Sequence, residues 1–304
     1  MKENRLFTLL SFILFTISAT AQIKGVVKDS LTKEPIAYVN IFTEEKGVFN
    51  TEANGIFNIN KKLDTKITFQ MLGYKSKTIL AKNDLEVLLQ PNITEIQEVL
   101  VESRKNKLLK EIDLYESNGF RFHNGNHGCA ILLKNDSTNT ACKFINKIKF
   151  HTQSEIHGAK LRFVILGCGE SNNPIDSEVF HDTIISVKKG NNGNEIDLSN
   201  LNISIPENGL FLCFENLYIE ENKYHYERTA KMPNGEKKTF KSMSYEPEIS
   251  LVPSTELLVY YRRVDKWEAA KKIMLDNPKS YENLLMRKYH NKYLTPSIKI
   301  TLTN

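Results

Sequence analysis

The stretch IKGVVKDSLTKEPIAYVNIFTEEKGVFNTEANGIFNI, residues 23–59, decides the fold. Ile23-Lys24-Gly25-Val26-Val27 reads as a strand with one apolar edge. Asp29-Ser30-Leu31-Thr32 followed by Glu34-Pro35 reads as a polar turn, because Asp and Ser side chains bond nearby backbone and Pro fixes φ. Ala37-Tyr38-Val39-Asn40-Ile41-Phe42 is a β-branched and aromatic run of strand length. Asn54-Gly55 predicts a tight turn, since both residues tolerate positive φ, and Ile56-Phe57-Asn58-Ile59 leads out of it as the next strand.

The pattern continues outward. Lys66 to Met71 alternates polar and apolar residues, as a half-buried strand does. Gly73-Tyr74 punctuates it, Lys75 to Leu80 and Leu85 to Leu89 supply two more strands, and Gln90-Pro91 closes the unit. About seven short strands in roughly seventy residues is the size of a compact β-sandwich.

These residues carry a family resemblance. The opening I-K-G-V-V-K-D, the E-P-I-A-Y-V-N-I-F strand, the T-E-A-N-G-I-F-N-I turn and the later M-L-G-Y resemble the carboxypeptidase-regulatory-like domain of exported Bacteroidetes proteins. Thr51-Glu52-Ala53-Asn54-Gly55-Ile56-Phe57 departs at two positions from that family's usual T-D-E-N-G-x-F turn. The resemblance implies a transthyretin-like or Ig-like sandwich over residues 22–91. It implies no peptidase activity, because carboxypeptidases hold their zinc in a separate catalytic domain. Ile96 to Val101 resembles the segment that leads into the plug of outer-membrane TonB-dependent receptors, yet too little chain follows for a plug and barrel. The charged stretch Glu102 to Lys107 reads as a linker or short helix, within a linker over residues 92–116.

Address and charge set further limits. Lys2 and Arg5, the apolar stretch from Leu6 to Ile17 and Ala19-Thr20-Ala21 have the form of a secretory signal peptide over residues 1–21. The apolar stretch is short for a membrane span, no Cys follows the cleavage site, and no later run is long enough to span. The expectation is an exported protein of the periplasm, the outer-membrane surface or the extracellular space. The formal net charge is +5; Lys2 and Arg5 against Glu3 account for +1, leaving +4 for the mature chain. Interleaved over so many residues, that is too weak to point to nucleic acid. Outside the cytosol, Cys129, Cys142, Cys168 and Cys213 allow three complete pairings, with Cys129–Cys142 the pair expected if one forms. Cys213, within Leu210 to Phe214, also reads as a small core residue.

Residues 117–304 read as a second, jelly-roll-like β-sandwich. Lys143 to Phe150 alternates with period two, Lys160 to Leu166 and Glu178 to Val187 are strand candidates, and Lys189-Gly190-Asn191-Asn192-Gly193 reads as a turn. Glu195 to Leu198, Asn202 to Ile205, Leu210 to Ile219 and Ser297 to Leu302 extend the series. Trp267 to Leu275 and Tyr281 to Tyr289 have helix-like apolar spacing and are the expected short helices.

No catalytic constellation is visible. The sequence holds no His-Glu-x-x-His, no Gly-x-Ser-x-Gly elbow, no phosphate-binding Gly-Lys-Ser loop and no Cys-x-x-Cys. Gly167-Cys168-Gly169-Glu170 reads as a turn between strands, because no base for a nucleophilic Cys can be named. His123, His127 and Cys129 in HNGNHGC form a weak metal-ligand set without a fourth ligand, and no cofactor is expected. Tyr224 and Tyr226 share one strand face, the arrangement of a stacking platform, and Trp267 adds another flat ring; these three are the ligand-binding candidates. Packing on the core is the competing reading for such rings. The sequence therefore predicts an all-β, non-catalytic envelope protein, with a docking module and a recognition domain for a glycan or an envelope protein. The alternatives are a hydrolase with a dispersed site in the second domain, or an accessory partner of a TonB-dependent complex.

Overall fold

The computed structural model describes residues 22–304, except 46, 61–63, 93–107, 118–119, 122–126, 136–140, 234, 264–265, 277–278 and 280–285. The signal segment 1–21, the plug-like segment 96–101 and His123 lie outside the described residues. The chain is all-β. Its sheets are antiparallel apart from one parallel pair, and the described helical elements are single 3-10 turns at Glu220–Asn222 and Arg287–Tyr289. No helix of the described residues is long and apolar enough to cross a membrane. Two compact units divide at Asn92/Ile93.

The first unit contains β1 (Gln22–Asp29), β2 (Asn40–Thr43), β3 (Val48–Asn50), β4 (Ile56–Asn60), β5 (Lys66–Gln70), β6 (Lys77–Leu80) and β7 (Leu85–Leu89). They form two sheets, ordered β4-β1-β7 and β3-β2-β5-β6, with β1 parallel to β7. Alternation along the strands sends Ile23 and Val27 of β1, Ile41 of β2, Phe57 and Ile59 of β4, and Ile67 and Phe69 of β5 into one core shared by both sheets. Burying each such side chain contributes about 1.5–3 kcal/mol. The Asn54-Gly55 turn forms: Gly55 has φ +74°, its N–H donates to Glu52 O, and Asn54 Oδ1 accepts from Ile56 N–H. A Cβ at Gly55 would stand 2.8 Å from Val27 O, so the position needs glycine for both space and conformation. Asp29 ties two of the motif segments together. Its Oδ1 accepts from the Leu31 and Thr32 N–H groups, and its Oδ2 from Tyr74 Oη at 2.9 Å.

The second unit begins with β8 (Leu109–Leu114), within the stretch read from sequence as linker, and continues with β9 (Phe120–Arg121), β10 (Gly128–Leu133), β11 (Phe144–Ser154), β12 (Ala159–Cys168), β13 (Pro174–Val187), β14 (Gly190–Asp197) and β15 (Leu210–Asn216). After these come β16 (Lys223–Lys231), β17 (Lys237–Tyr245), β18 (Glu248–Ser254), β19 (Val259–Arg263), β20 (Lys266–Ala269), β21 (Tyr293–Pro296) and β22 (Ile298–Thr303). One sheet runs β13-β12-β15-β10-β19-β20; the other runs β21-β18-β11-β22-β8, with β14 added on β11 and β9 on β18. Both contribute to one core. Ile131, Phe163 and Phe214 of the first meet Ile148, Phe150 and Ile300 of the second, and Phe214 packs 4.9 Å from Phe150 and 5.2 Å from Phe163 between ring centroids.

Four expectations are corrected. Trp267 to Leu275 is not a helix: Trp267 lies in β20, opposite Arg262 of β19, and pairing along that sheet edge overrides the helix-like spacing. Of the second expected helix, Tyr281 to Leu285 lies outside the described residues, and Arg287–Tyr289 makes only a 3-10 turn. Gly190 to Gly193 is strand rather than turn, because β14 pairs with β11 from Ser154↔Gly190 to Lys147↔Asp197. The Cys129–Cys142 bond is also not formed. All four cysteines are free and buried, and Cys129 and Cys142 pack as small members of the core.

Candidate functional site

Tyr224 and Tyr226 stand on a two-stranded hairpin, β16–β17, that joins neither large sheet. Its register runs from Lys223↔Tyr245 to Lys231↔Lys237, and most of its residues are exposed. An isolated two-stranded hairpin is only marginally stable, so its root must hold it. Asn222, fully buried just before β16, supplies that root. Its Oδ1 accepts from the Lys160 N–H at 2.7 Å, its Nδ2 donates to Lys160 O and Leu217 O, and its backbone O accepts from the Glu246 N–H. Glu246 closes the other side: Oε1 accepts from Ser244 Oγ and Oε2 from the Glu155 N–H.

Side chains alternate on this ribbon, so Tyr224, Tyr226 and Arg228 share a face with their cross-strand partners Ser244, Ser242 and Phe240. The Tyr224 and Tyr226 rings stack on one another, with centroids 5.7 Å apart and planes 17° off parallel. Tyr226 is exposed and Tyr224 half-buried. Toward the tip, Arg228 and Lys238 lie over the Phe240 ring at 5.8 and 5.5 Å. The face is thus a stripe of aromatic rings ending in two cations, with Tyr226, Arg228 and Lys238 exposed and Tyr224 and Phe240 half-buried.

Trp267 is held elsewhere, in a buried ionic row that sequence reading missed. Across the outer face of the six-stranded sheet the register aligns Arg162 of β12, Glu215 of β15, Gly128 of β10, Arg262 of β19 and Trp267 of β20. Arg162, Glu215 and Arg262 are almost fully buried. Arg262 Nη1 donates to Glu215 Oε1 at 2.7 Å and Nη2 to Asp176 Oδ2 at 2.8 Å. Trp267 Nε1 donates to Asp176 Oδ1 at 3.0 Å, with the Arg262 guanidinium 5.1 Å from the Trp267 ring. Arg162 makes a two-pronged ion pair with Asp182. Gly128 makes the row possible, since a Cβ there would come within 2.9 Å of Phe214 O and 3.2 Å of Glu215 Cγ. Burial would raise the Glu215 carboxyl, but Arg262, His127 and Arg162 outweigh it and hold the group at about 2. The row sets opposed charges against one another, as buried charges require, with Glu215 Oε2 left without a hydrogen-bond partner among the described residues.

The metal candidates separate. His127 is buried and stacks on Tyr218, with centroids 5.6 Å apart; Tyr218 in turn meets Tyr245 of the hairpin edge-on at 5.0 Å. Burial, partly opposed by the Glu215 charge, lowers His127 to about 4. Cys129 points into the core, and burial pushes its thiol to about 12. Among the described residues no group of three or more His, Cys, Asp or Glu is placed to hold a metal ion. His151 is spent on Ser250 Oγ at 3.2 Å. Cys168, read from sequence as part of a turn, is instead the last residue of β12, opposite Pro174 of β13, where burial first and Glu178 second raise its thiol.

Comparisons with known proteins add the following. Residues 23–101 match the family model of the CarboxypepD_reg-like domain. No curated protein matches the chain. Among solved structures, the chain is similar to the cysteine protease and lectin-like domains of Cwp84, a surface-layer-associated protein of Clostridium difficile, at TM-score 0.32 and 16% identity, covering 66% of this chain and 37% of that one. It is similar to a candidate carbohydrate-binding protein of Bacteroides uniformis at TM-score 0.20 and 9% identity, covering 75% and 99%. It is also similar to the protein of infectious bursal virus T=1 particles at TM-score 0.24 and 11% identity, covering 93% and 62%. The chain thus spans little more than a third of the length of the first of these. Residues 23–101 are a CarboxypepD_reg-like domain, and a further β-rich region follows it.

Proposed function

We propose that the chain is a non-catalytic, exported recognition protein of the cell envelope, in which the first unit serves as a docking module and the β16–β17 hairpin binds a glycan. The observation that carries this reading is the Tyr224–Tyr226 stack on an exposed, firmly rooted ribbon. Flat rings with polar tips offer a sugar both an apolar face and hydrogen-bonding edges. The Tyr226 ring of the stack is exposed, so a sugar can reach it from solvent. A non-catalytic role is supported by the fate of the titratable groups that do converge: His127, Glu215, Asp176 and Asp182 are engaged with Arg162, Arg262, Trp267 and Tyr218.

The test is the double variant Tyr224→Ala/Tyr226→Ala on a glycan array, with circular dichroism and thermal melting to check the fold. Truncating aromatic anchors typically costs about 2 kcal/mol or more each, so binding should weaken at least about tenfold. Undiminished binding by a folded double variant would refute the reading.

A further inference from the structure

We infer that the ligand of the β16–β17 hairpin is an acidic polysaccharide, whose sugar rings meet the tyrosines and whose carboxylates meet the cations beyond them. The inference rests on the hairpin face being the recognition surface and adds the chemical class of what it recognises.

Charge is the first observation. The hairpin, residues 223–245, carries Lys223, Arg228, Lys231, Lys237, Lys238 and Lys241 against Glu227 and Glu236, an excess of +4. The whole chain has +5. Nearly all of its imbalance therefore sits on one small exposed ribbon. Near the root the charges are balanced: Lys223 is paired with Glu220, and Glu227 lies directly across the ladder from Lys241. Toward the tip they are not. Lys231 stands directly opposite Lys237, an arrangement of like charges that costs a hairpin stability. Arg228 and Lys238 have no carboxylate partner among the described residues and rest only on the Phe240 ring.

The second observation is continuity. Arg228 follows Tyr226 by two residues on the same face, and Lys238 reaches Phe240 on that face from the other strand. Successive positions on one face of a strand lie about 6.6 Å apart, so rings and cations form one unbroken stripe. A chain of sugars laid along it would stack first and then present its acid groups to Arg228, whose fork suits a carboxylate. A membrane surface fits less well. The connection between the strands carries Glu236 and is flanked by Lys231 and Lys237, whereas the exposed Tyr226 and Met243 lie in the root half, away from the end that would enter a bilayer.

The experiment measures binding of the full chain to polygalacturonate, to a neutral linear β-glucan and to phosphatidylglycerol vesicles, each at low and high salt. The same measurements are made on Arg228→Gln/Lys238→Gln and on Tyr224→Ala/Tyr226→Ala, with melting to confirm folding. The expected result is binding to polygalacturonate that weakens about tenfold, equivalent to about 1.4 kcal/mol, in the charge variant. It should also weaken in the tyrosine variant and fade as the Debye length falls from about 10 Å at 0.1 M to about 3 Å at 1 M salt. Equal binding of the neutral glucan, lost in the tyrosine variant but unchanged in the charge variant, would overturn the acidic class while leaving glycan recognition standing. Binding to neither polysaccharide, or to vesicles alone, would overturn both.

Discussion

Glu215→Gln tests the buried row most directly. The side chain keeps its shape, and its carbonyl can still accept from Arg262 Nη1, now at 2.7 Å, so the change removes charge and little else. Held at about 2 against an ordinary 4.5, the Glu215 carboxyl prefers its charged form in the folded protein by about 3 kcal/mol, at about 1.4 kcal/mol per tenfold step in acidity. Removing one partner of a buried pair outright costs about 3–5 kcal/mol. The lower end applies here, because Asp176 and Asp182 still face the two arginines. The variant should therefore lose about 3 kcal/mol at pH 7. A depressed carboxyl contributes stability that is complete above its unfolded value and is lost as pH falls through its folded value, so the gap between wild type and variant should close between pH 4.5 and about 2. Urea unfolding at pH 7, 5 and 3 measures it. Trp267 is the single tryptophan, and its fluorescence reports on this row because its indole donates to Asp176. A cost below about 1 kcal/mol at pH 7, or a gap that does not narrow in acid, would refute the assignment of Glu215 as the row's central charge.

Two further outcomes are expected. His127, lowered to about 4 by burial, stays neutral in the folded chain while the unfolded chain takes up a proton below about 6.5, so the second unit should lose about 3 kcal/mol between pH 6.5 and 4. His127→Gln should flatten that decline in urea titrations, and an unchanged slope would count against it. Gly55→Ala should destabilise the first unit by at least about 1–2 kcal/mol in thermal melts, because alanine must enter the left-handed region and its Cβ would press on Val27 O.

The first unit was readable because its physics is local. Alternation exposes Ile56 and buries Phe57 and Ile59 along β4, and the turn before it needs only the φ that Asn54-Gly55 permits. The second unit resists for two reasons. The strands β10 and β12 are buried on both faces, so no period-two signal marks which side each residue takes. β14 is the opposite case: Gly190-Asn191-Asn192-Gly193 has the composition of a turn and becomes a strand only because β11 offers it a ladder. Of the candidate site, the shared face of Tyr224 and Tyr226 was legible, whereas the extent of the hairpin and the cations on Phe240 depend on the register of β17. The ionic row did leave a trace in the sequence. Arg162 interrupts an apolar run, Glu215 ends another, and charges within runs of that kind need partners. Which charge meets which was beyond reach, because Asp176, Glu215 and Arg262 are brought together only by the sheet order.

The hairpin can act as a recognition arm only if its root is stiff, and that role falls to a residue nothing in the sequence singled out. Asn222 uses its carbonyl for the Lys160 N–H and its amide for Lys160 O and Leu217 O, so it must be an amide in one orientation. Asn222→Asp is nearly isosteric, but it turns two donated hydrogen bonds into two repulsions against backbone carbonyls. At about 1 kcal/mol for each lost bond, and more for buried groups left unsatisfied, the root should loosen by about 2–3 kcal/mol. The core strands are held by their own ladders, so the loss should stay local. Hydrogen exchange should speed up at the amides of Tyr224 to Arg228 while those of Phe163 to Ile165 keep their protection. Glycan binding should fall although every side chain of the aromatic face is present, because a mobile arm must be ordered again on binding. If exchange at the hairpin were unchanged and binding fell, the aromatic face would extend to the root itself. If both were unchanged, rigidity at Asn222 would have no part in recognition, and the packing of Tyr245 on Tyr218 and His127 would have to anchor the arm instead.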